Sequence, residues 1–183
     1  AVMRLCGDHA YAGCEWVCET VAKIIHGTTY YQDQVHNHHN FAWIEEHDGD
    51  EYFVVRKGST PAFPGQRSFI GSNMSDQSVI VRGLDTPEAK ENLYSTVHGA
   101  GRIMSRREAA GKFKGWGKKR RLVEPGKIDE GQMRDTVAAR GVHLFGGAAD
   151  EAPDCYKKLD EVLGYHQASI TVETRLTPII VCM

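Results

Sequence analysis

Apolar positions set the expected elements. Between residues 8 and 26, Ala10, Cys14, Val17, Val21 and the pair Ile24/Ile25 recur every three to four positions. That is one face of an amphipathic helix, and Gly27 supplies a stop. From Thr28 to Trp43 the pattern turns strand-like, with β-branched and aromatic residues around a histidine cluster. His47-Asp48-Gly49-Asp50 reads as a turn and Glu51 to Arg56 as a short strand, so a hairpin is expected. Lys57 to Asn73 is rich in Gly, Pro and Ser and predicts loop, and Ser78 to Arg82 predicts strand. Thr86-Pro87-Glu88 opens a short helix, Thr as N-cap and Pro in the first helical position. A helix is expected over Arg102 to Lys112, then a basic Gly-bounded loop over Gly115 to Arg121. Residues 128–140 and 155–165 predict helices, and Ser169 to Val181 one or two strands. No repeat or composition shift splits the chain. The expected fold class is α+β, a mixed β core with flanking helices, as one domain or one piece of a larger one.

Composition narrows the class. The 183 residues are 41% hydrophobic, 25% charged and 9% aromatic, which excludes a disordered tail, a collagen-like rod and a disulfide-stapled miniprotein. No apolar run approaches the ~18–20 residues of a membrane-spanning helix. Twenty-two Lys+Arg face 24 Asp+Glu, so only a local basic patch argues for a nucleic-acid partner. Cys6, Cys14, Cys18, Cys155 and Cys182 are odd in number and contain no CxxC pair. This fits a reducing, cytoplasmic setting. Cys14 and Cys18 would share a helical face; free Cys most often serves as a small buried hydrophobe. The chain begins without Met and runs into helix-like sequence, which reads as an internal cut.

Four segments carry candidate chemistry. In His36-Asn37-His38-His39-Asn40, imidazoles suit a transition metal, but an extended stretch supplies one or two ligands and not a whole site. The competing reading is a polar, hydrogen-bonded strand edge. In His98-Gly99-Ala100-Gly101-Arg102-Ile103-Met104-Ser105-Arg106, the glycines let backbone approach an anion, and a following helix would offer free N–H groups. Arg102 and Arg106, four apart, would share a helical face and grip phosphate oxygens. His98 at the mouth is placed to attack phosphorus and form a phosphoramidate. Taken alone, a Gly-rich turn before a helix is only a tight connection. Arg56-Lys57-Gly58-Ser59-Thr60-Pro61-Ala62 is a strand end with two cations, or a solvated turn. Trp116 sits beside the run Lys118 to Arg121, a mixture that contacts RNA by stacking and charge or forms a solvated loop.

Read together, these segments resemble a known family. His38-His39-Asn40, Val54 to Ala62, Ile80-Val81-Arg82-Gly83 and His98 to Arg106 occur in the order found in the C-terminal half of the RtcB family of RNA ligases. Glu151-Ala152-Pro153, Tyr156-Lys157 and Leu159 to Val162 extend the likeness, which covers about residues 10–182. The resemblance implies the RtcB-like α+β fold, with residues 1–183 forming the C-terminal part of a single catalytic domain. It also implies an enzyme that joins an RNA 3′-phosphate or 2′,3′-cyclic phosphate to a 5′-hydroxyl, in tRNA splicing or RNA repair. The implied cofactors are GTP and Mn²⁺, and the protein archease is an implied partner. His98 would take GMP from GTP and pass it to the RNA 3′-phosphate. By position, His39 would bind Mn²⁺, with Asn40 beside it near the nucleotide. Gly99, Ala100 and Gly101 would line the GMP phosphate through backbone.

The family's Pro-Gly-Ser-Met nucleotide loop falls on Gly71, Ser72, Asn73 and Met74, with Ser78 following. Only Met74 agrees, and guanine selection is what this departure touches. The family's other metal ligands lie upstream, before Ala1; many members end in a Lys-Gly, and as this chain stops at Val181-Cys182-Met183 that group is missing or beyond the cut. A different expectation follows from those departures: a nucleotide- or RNA-binding remnant that keeps the phosphate cradle without most metal ligands. A weaker third reading is a His-rich phosphoesterase.

Overall fold

The computed structural model describes residues 35–119 and 121–183. The helix expected over residues 8–26 lies outside them, as does the strand-like stretch before residue 35. Within them the chain is mixed α and β, as an α+β RtcB-like fold requires.

Strands β1 (Asn40–His47) and β2 (Asp50–Lys57) form the expected antiparallel hairpin. Asp48 and Gly49 turn it at φ 55° and 88°, the left-handed pair that matches strand twist in a two-residue turn. Pairing Phe41 with Arg56 and Trp43 with Val54 puts these four residues on one face of the hairpin. Val54 and Arg56 are buried there, whereas Ile44, Phe53 and Val55 on the opposite face are exposed.

The stretch expected to be loop contains two strands. β3 (Ser59–Pro61) pairs with β6 (Ser95–Val97), and β4 (Arg67–Ile70) pairs with β5 (Ser78–Gly83). Their Gly, Pro and Ser content hides them because they are short and held by tertiary pairing rather than propensity. β10 (Ile170–Leu176) completes an antiparallel sheet in the order β10-β5-β4. Gly83 is a tight crossing: a Cβ there would lie 2.2 Å from the Ala62 carbonyl oxygen.

Helix α1 (Pro87–Glu91) starts as predicted, with the Thr86 hydroxyl accepting from the Ala89 N–H. The helix predicted over 102–112 shrinks to α2 (Arg106–Ala110), capped by Ser105. Gly101 turns at φ 76° and the Ile103 N–H donates to the Cys155 carbonyl. Residues 101–104 therefore spend their backbone on tertiary partners instead of a helical turn.

The basic segment is the end of a second hairpin, β7 (Gly111–Lys114) with β8 (Arg121–Pro125). Its root is tight. A Cβ on Gly111 would lie 2.3 Å from the Glu124 carbonyl oxygen, and one on Gly126 2.0 Å from that of Ala109. Helix α3 (Glu130–Ala139), strand β9 (His143–Phe145), helix α4 (Leu159–Gly164) and strand β11 (Ile180–Cys182) follow, with β9 and β11 parallel.

Two apolar clusters lie beneath these elements. One joins Ile70, Val79 and Val81 of the sheet to Leu159 and Leu163 of α4, and it includes Ala100. The other gathers Met133 and Val137 of α3 with Met74, Ala109 and Cys155, and Met104 packs on it. The segment that carries His98 thus runs from one core to the other. Burial at both ends holds it.

Candidate active site

His98 leaves β6 and enters the glycine loop. The Gly71 N–H donates to the His98 carbonyl at 3.0 Å, and the Ala100 N–H donates to the Gly71 carbonyl at 3.1 Å. This parallel bridge lays residues 71–72 beside 98–100. Gly99 has no room to spare: a Cβ would stand 3.2 Å from the Gly71 oxygen. A side chain at 99 would push apart the two segments that the family resemblance assigns to the nucleotide. Gly71, Ser72, Gly99 and Ala100 therefore lie side by side.

The histidine cluster reaches this loop from β1. Asn37 ties it down, its Nδ2 donating to Thr60 Oγ1 at 2.8 Å and its Oδ1 accepting from the Phe69 N–H at 2.8 Å. Thr60 is fully buried and donates to the His38 carbonyl at 2.8 Å. The Gly58 N–H donates to the His39 carbonyl at 3.0 Å. These bonds bring the His39 ring onto that of His98, with centroids 4.9 Å apart and planes 6° from parallel. Asn40 follows as the first residue of β1, opposite Lys57, and both are exposed. Asn37 and Thr60 lie in two of the candidate segments, but their anchoring of the histidines was not legible there because it joins residues 22 and 23 positions apart.

Among the described residues, buried side-chain polar atoms without a partner are Ser72 Oγ, Thr96 Oγ1 and His98 Nδ1. Ser72 and His98 belong to the segments joined by the Gly71–Gly99 bridge, and Thr96 lies on the adjoining β6, opposite Thr60. Buried polar atoms are normally paired, so their concentration marks this as the polar heart of the site.

The rest of the loop is structural. Asn73 Oδ1 accepts from the N–H groups of Ser75 and Asp76, each at 3.0 Å, and closes the turn. The Met74 side chain is buried in the second core and points away from a surface ligand. The Ser78 hydroxyl accepts from the Ser72 N–H at 3.1 Å. Asp76 anchors the loop to Arg140 at 2.6 Å and Lys158 at 3.3 Å. Burial pushes its carboxyl up, but hydrogen bonds from Asn73, Arg140 and Lys158 outweigh that and hold it below the usual range.

The cations need correction. Arg56 is 1% exposed. Its guanidinium grips Glu45 in two bonds, donates to Ser95 Oγ at 2.9 Å and the Leu93 carbonyl at 2.8 Å, and lies 5.2 Å from the Trp43 ring. It is a core clamp and does not face phosphate or RNA. Strand alternation beside buried Val54 was the signal that could have shown this.

Arg102 and Arg106 do not share a helical face, because the helix starts only at Arg106. Instead both turn to one acidic corner. Arg102 donates to Tyr156 Oη at 2.8 Å, Glu151 Oε2 at 3.3 Å and the Asp150 carbonyl. Arg106 meets Asp150 at 2.9 Å and Glu151 at 2.6 Å. Tyr156 also donates to Glu151. Burial, reinforced by the Glu151 carboxylate, pushes the Tyr156 phenol up to about 12. The Lys157 N–H donates to the Gly101 carbonyl at 3.0 Å, so this corner braces the far end of the His98 loop.

The assembled site is a glycine cradle between two backbone segments, with a histidine at its mouth and a second imidazole stacked on it. The family model described as "tRNA-splicing ligase RtcB" matches residues 10–183. The chain belongs to the RtcB family. RNA-splicing ligase RtcB of Escherichia coli (strain K12) is 34% identical to it over 131 residues, 72% of this chain and 28% of that protein. The tRNA-splicing ligase RtcB of Methanocaldococcus jannaschii is 34% identical over 186 residues, 90% of this chain and 18% of that protein. RNA-splicing ligase RtcB of Mycobacterium bovis is 32% identical over 160 residues, 77% of this chain and 34% of that protein. The chain thus spans between 18% and 34% of the length of these RtcB relatives.

Metal chemistry is only partly furnished here. Among the described residues no group of three or more His, Cys, Asp or Glu could hold a metal ion. His39 offers one imidazole, which falls short of the several ligands a divalent ion takes. No described helix is long and apolar enough to cross a membrane.

Proposed function

We propose that the protein is a GTP-dependent RNA ligase in which His98 carries GMP between GTP and an RNA 3′-phosphate. The observation that supports this reading best is the pairing of the His98 loop with residues 71–72 beneath a half-buried imidazole. His98 Nδ1 is buried over Gly58, whose added Cβ would come within 3.9 Å of it. That leaves Nε2 as the nitrogen open to a reactant. Nε2 attacks the α-phosphorus of GTP, the P–N bond forms and pyrophosphate leaves with the broken P–O bond. An oxygen of the RNA 3′-phosphate then displaces His98, and the 5′-hydroxyl displaces GMP, losing its proton. An end that arrives as a 2′,3′-cyclic phosphate belongs to the same substrate class.

In this reading the backbone of Gly99, Ala100 and Gly101, with Gly71 and Ser72, contacts the nucleotide phosphate, and Asn73, Met74 and Ser78 shape the loop behind it. Asn40 and Lys57 at the exposed hairpin end face the nucleotide or RNA. Arg102 and Arg106 act through the Asp150-Glu151-Tyr156 corner. His39 contributes one ligand toward Mn²⁺; the described residues do not complete that site, and no step is derived through the metal. A cytoplasmic setting fits the free thiols of Cys155 and Cys182, and archease is a proposed partner.

Incubation of the full-length protein with α-labelled GTP and Mn²⁺ tests the reading. Label bound covalently in the parent and absent in His98→Ala is the expected result. Equal label in His98→Ala would overturn the assignment. GTP binding that ignores chelator and yields no adduct would instead favour a non-catalytic nucleotide-binding remnant.

A further inference from the structure

The most exposed large side chain among the described apolar residues is Trp116, at 93%. It stands at the end of the β7–β8 hairpin between Gly115 and Gly117, whose φ values are 85° and 55°. Burial of an indole is normally favourable by a few kcal/mol, so an indole held out in water on a defined turn calls for an occupant.

The charges around it are sorted along the hairpin. At the root Lys112 meets Glu124 at 2.8 Å, and Arg107 approaches the same carboxylate at 3.7 Å. Toward the tip, Lys114 and Arg121 are direct cross-strand partners, both exposed. Like charges placed opposite each other on a strand pair destabilise it. Lys119 is a third exposed cation beyond the turn. No carboxylate is paired with any of these three among the described residues. The root is neutralised within the protein and the tip is left positive.

We propose that this hairpin tip binds single-stranded RNA, with a base stacked on Trp116 and adjacent phosphates held by Lys114, Lys119 and Arg121. A π-face flanked by cations fits a polyanion whose bases are unstacked, and a duplex would hide those faces. The choice of RNA over another polyanion rests on the ligase reading above. The hairpin contact itself stands on the geometry. It would hold substrate strand beyond the ends being joined, apart from the glycine cradle.

Binding of a short, unstructured, labelled oligoribonucleotide to the full chain tests the proposal by fluorescence anisotropy across a salt series. Trp116→Ala should weaken binding by about 5- to 150-fold, the range of one base–aromatic stack, while Trp116→Phe retains most of the affinity. Lys114→Ala/Arg121→Ala should flatten the slope of log affinity against log salt by about 1.4. GMP labelling of His98 should be unchanged in all three variants. Unchanged RNA affinity in Trp116→Ala and in the double variant overturns the proposal. So does a parent protein whose Trp116-dependent binding is to phosphatidylserine vesicles and not to RNA. If the parent forms no His98 adduct yet loses RNA affinity on Trp116→Ala, the ligase reading falls and the hairpin site stands.

Discussion

The imidazole of His39 lies flat on that of His98, with ring centres 4.9 Å apart and planes 6° from parallel. On the proposed ligase reading, two roles follow for His39, as a ligand donor and as a wall beside His98. His39→Phe keeps the wall and removes the donor. If the donor role dominates, both His39→Ala and His39→Phe should raise the Mn²⁺ concentration for half-maximal GMP labelling by at least about 10-fold. Rescue by Phe would assign His39 to stacking alone.

Buried Arg56 and half-buried Glu45 form the pair that seats the first hairpin, with exposures of 1% and 11%. Arg56→Met should cost about 1–3 kcal/mol in urea unfolding, because it leaves the half-buried Glu45 carboxylate with His47 as its remaining partner. The pH dependence has a definite sign. Burial raises the Glu45 carboxyl, but bonds and charge from Arg56 and His47 outweigh it and leave it lowered. A lowered carboxylate contributes stability above its unfolded value of about 4.3 and loses it as pH falls through the folded value. Unfolding between about pH 5 and pH 3 should therefore be shallower in Arg56→Met than in the parent.

Glu151 holds Tyr156, Arg102 and Arg106 together. Glu151→Gln removes the negative charge that helps burial raise the Tyr156 phenol to about 12. Ultraviolet titration of the phenolate should move that tyrosine down toward 10. A folded phenol raised above its unfolded value contributes stability below about pH 10, lost as pH rises toward 12. The variant should lose part of that margin. An unmoved phenolate transition would mean that burial alone sets the value.

Gly83 offers the sharpest test of packing. An added Cβ meets backbone oxygens of Ala62 and Phe63 at 2.2 and 2.3 Å, and backbone cannot swing aside as a side chain can. Gly83→Ala should destabilise by about 3 kcal/mol or more in thermal or urea unfolding.

Local signals proved legible where one residue does one local job. Thr86-Pro87 started a helix, and Asp48-Gly49 turned a hairpin. The close backbone approach at the His98 loop was readable because the glycine spacing at 99 and 101 signals it in the sequence itself. Three kinds of information were not. β3 and β4 exist because partners far along the chain pair with them. The expected helix at Arg102 fails because Cys155 and Tyr156 compete for its backbone. Arg56 carries charge, which suggests a surface, yet its register beside Val54 turns it inward. Each of these depends on a contact at long sequence separation, and spacing alone does not encode it.

The glycine-clamped root of the second hairpin has an architectural consequence. With Gly111 and Gly126 pressed against backbone, the hairpin leaves the body at a set point whatever residues occupy its tip. Tip sequence and length can vary without disturbing the glycine cradle around His98, because exposed turns generally tolerate insertions. The arm is an exchangeable fitting on a fixed socket, so under the proposed reading strand choice at the tip and the reaction at His98 would change independently.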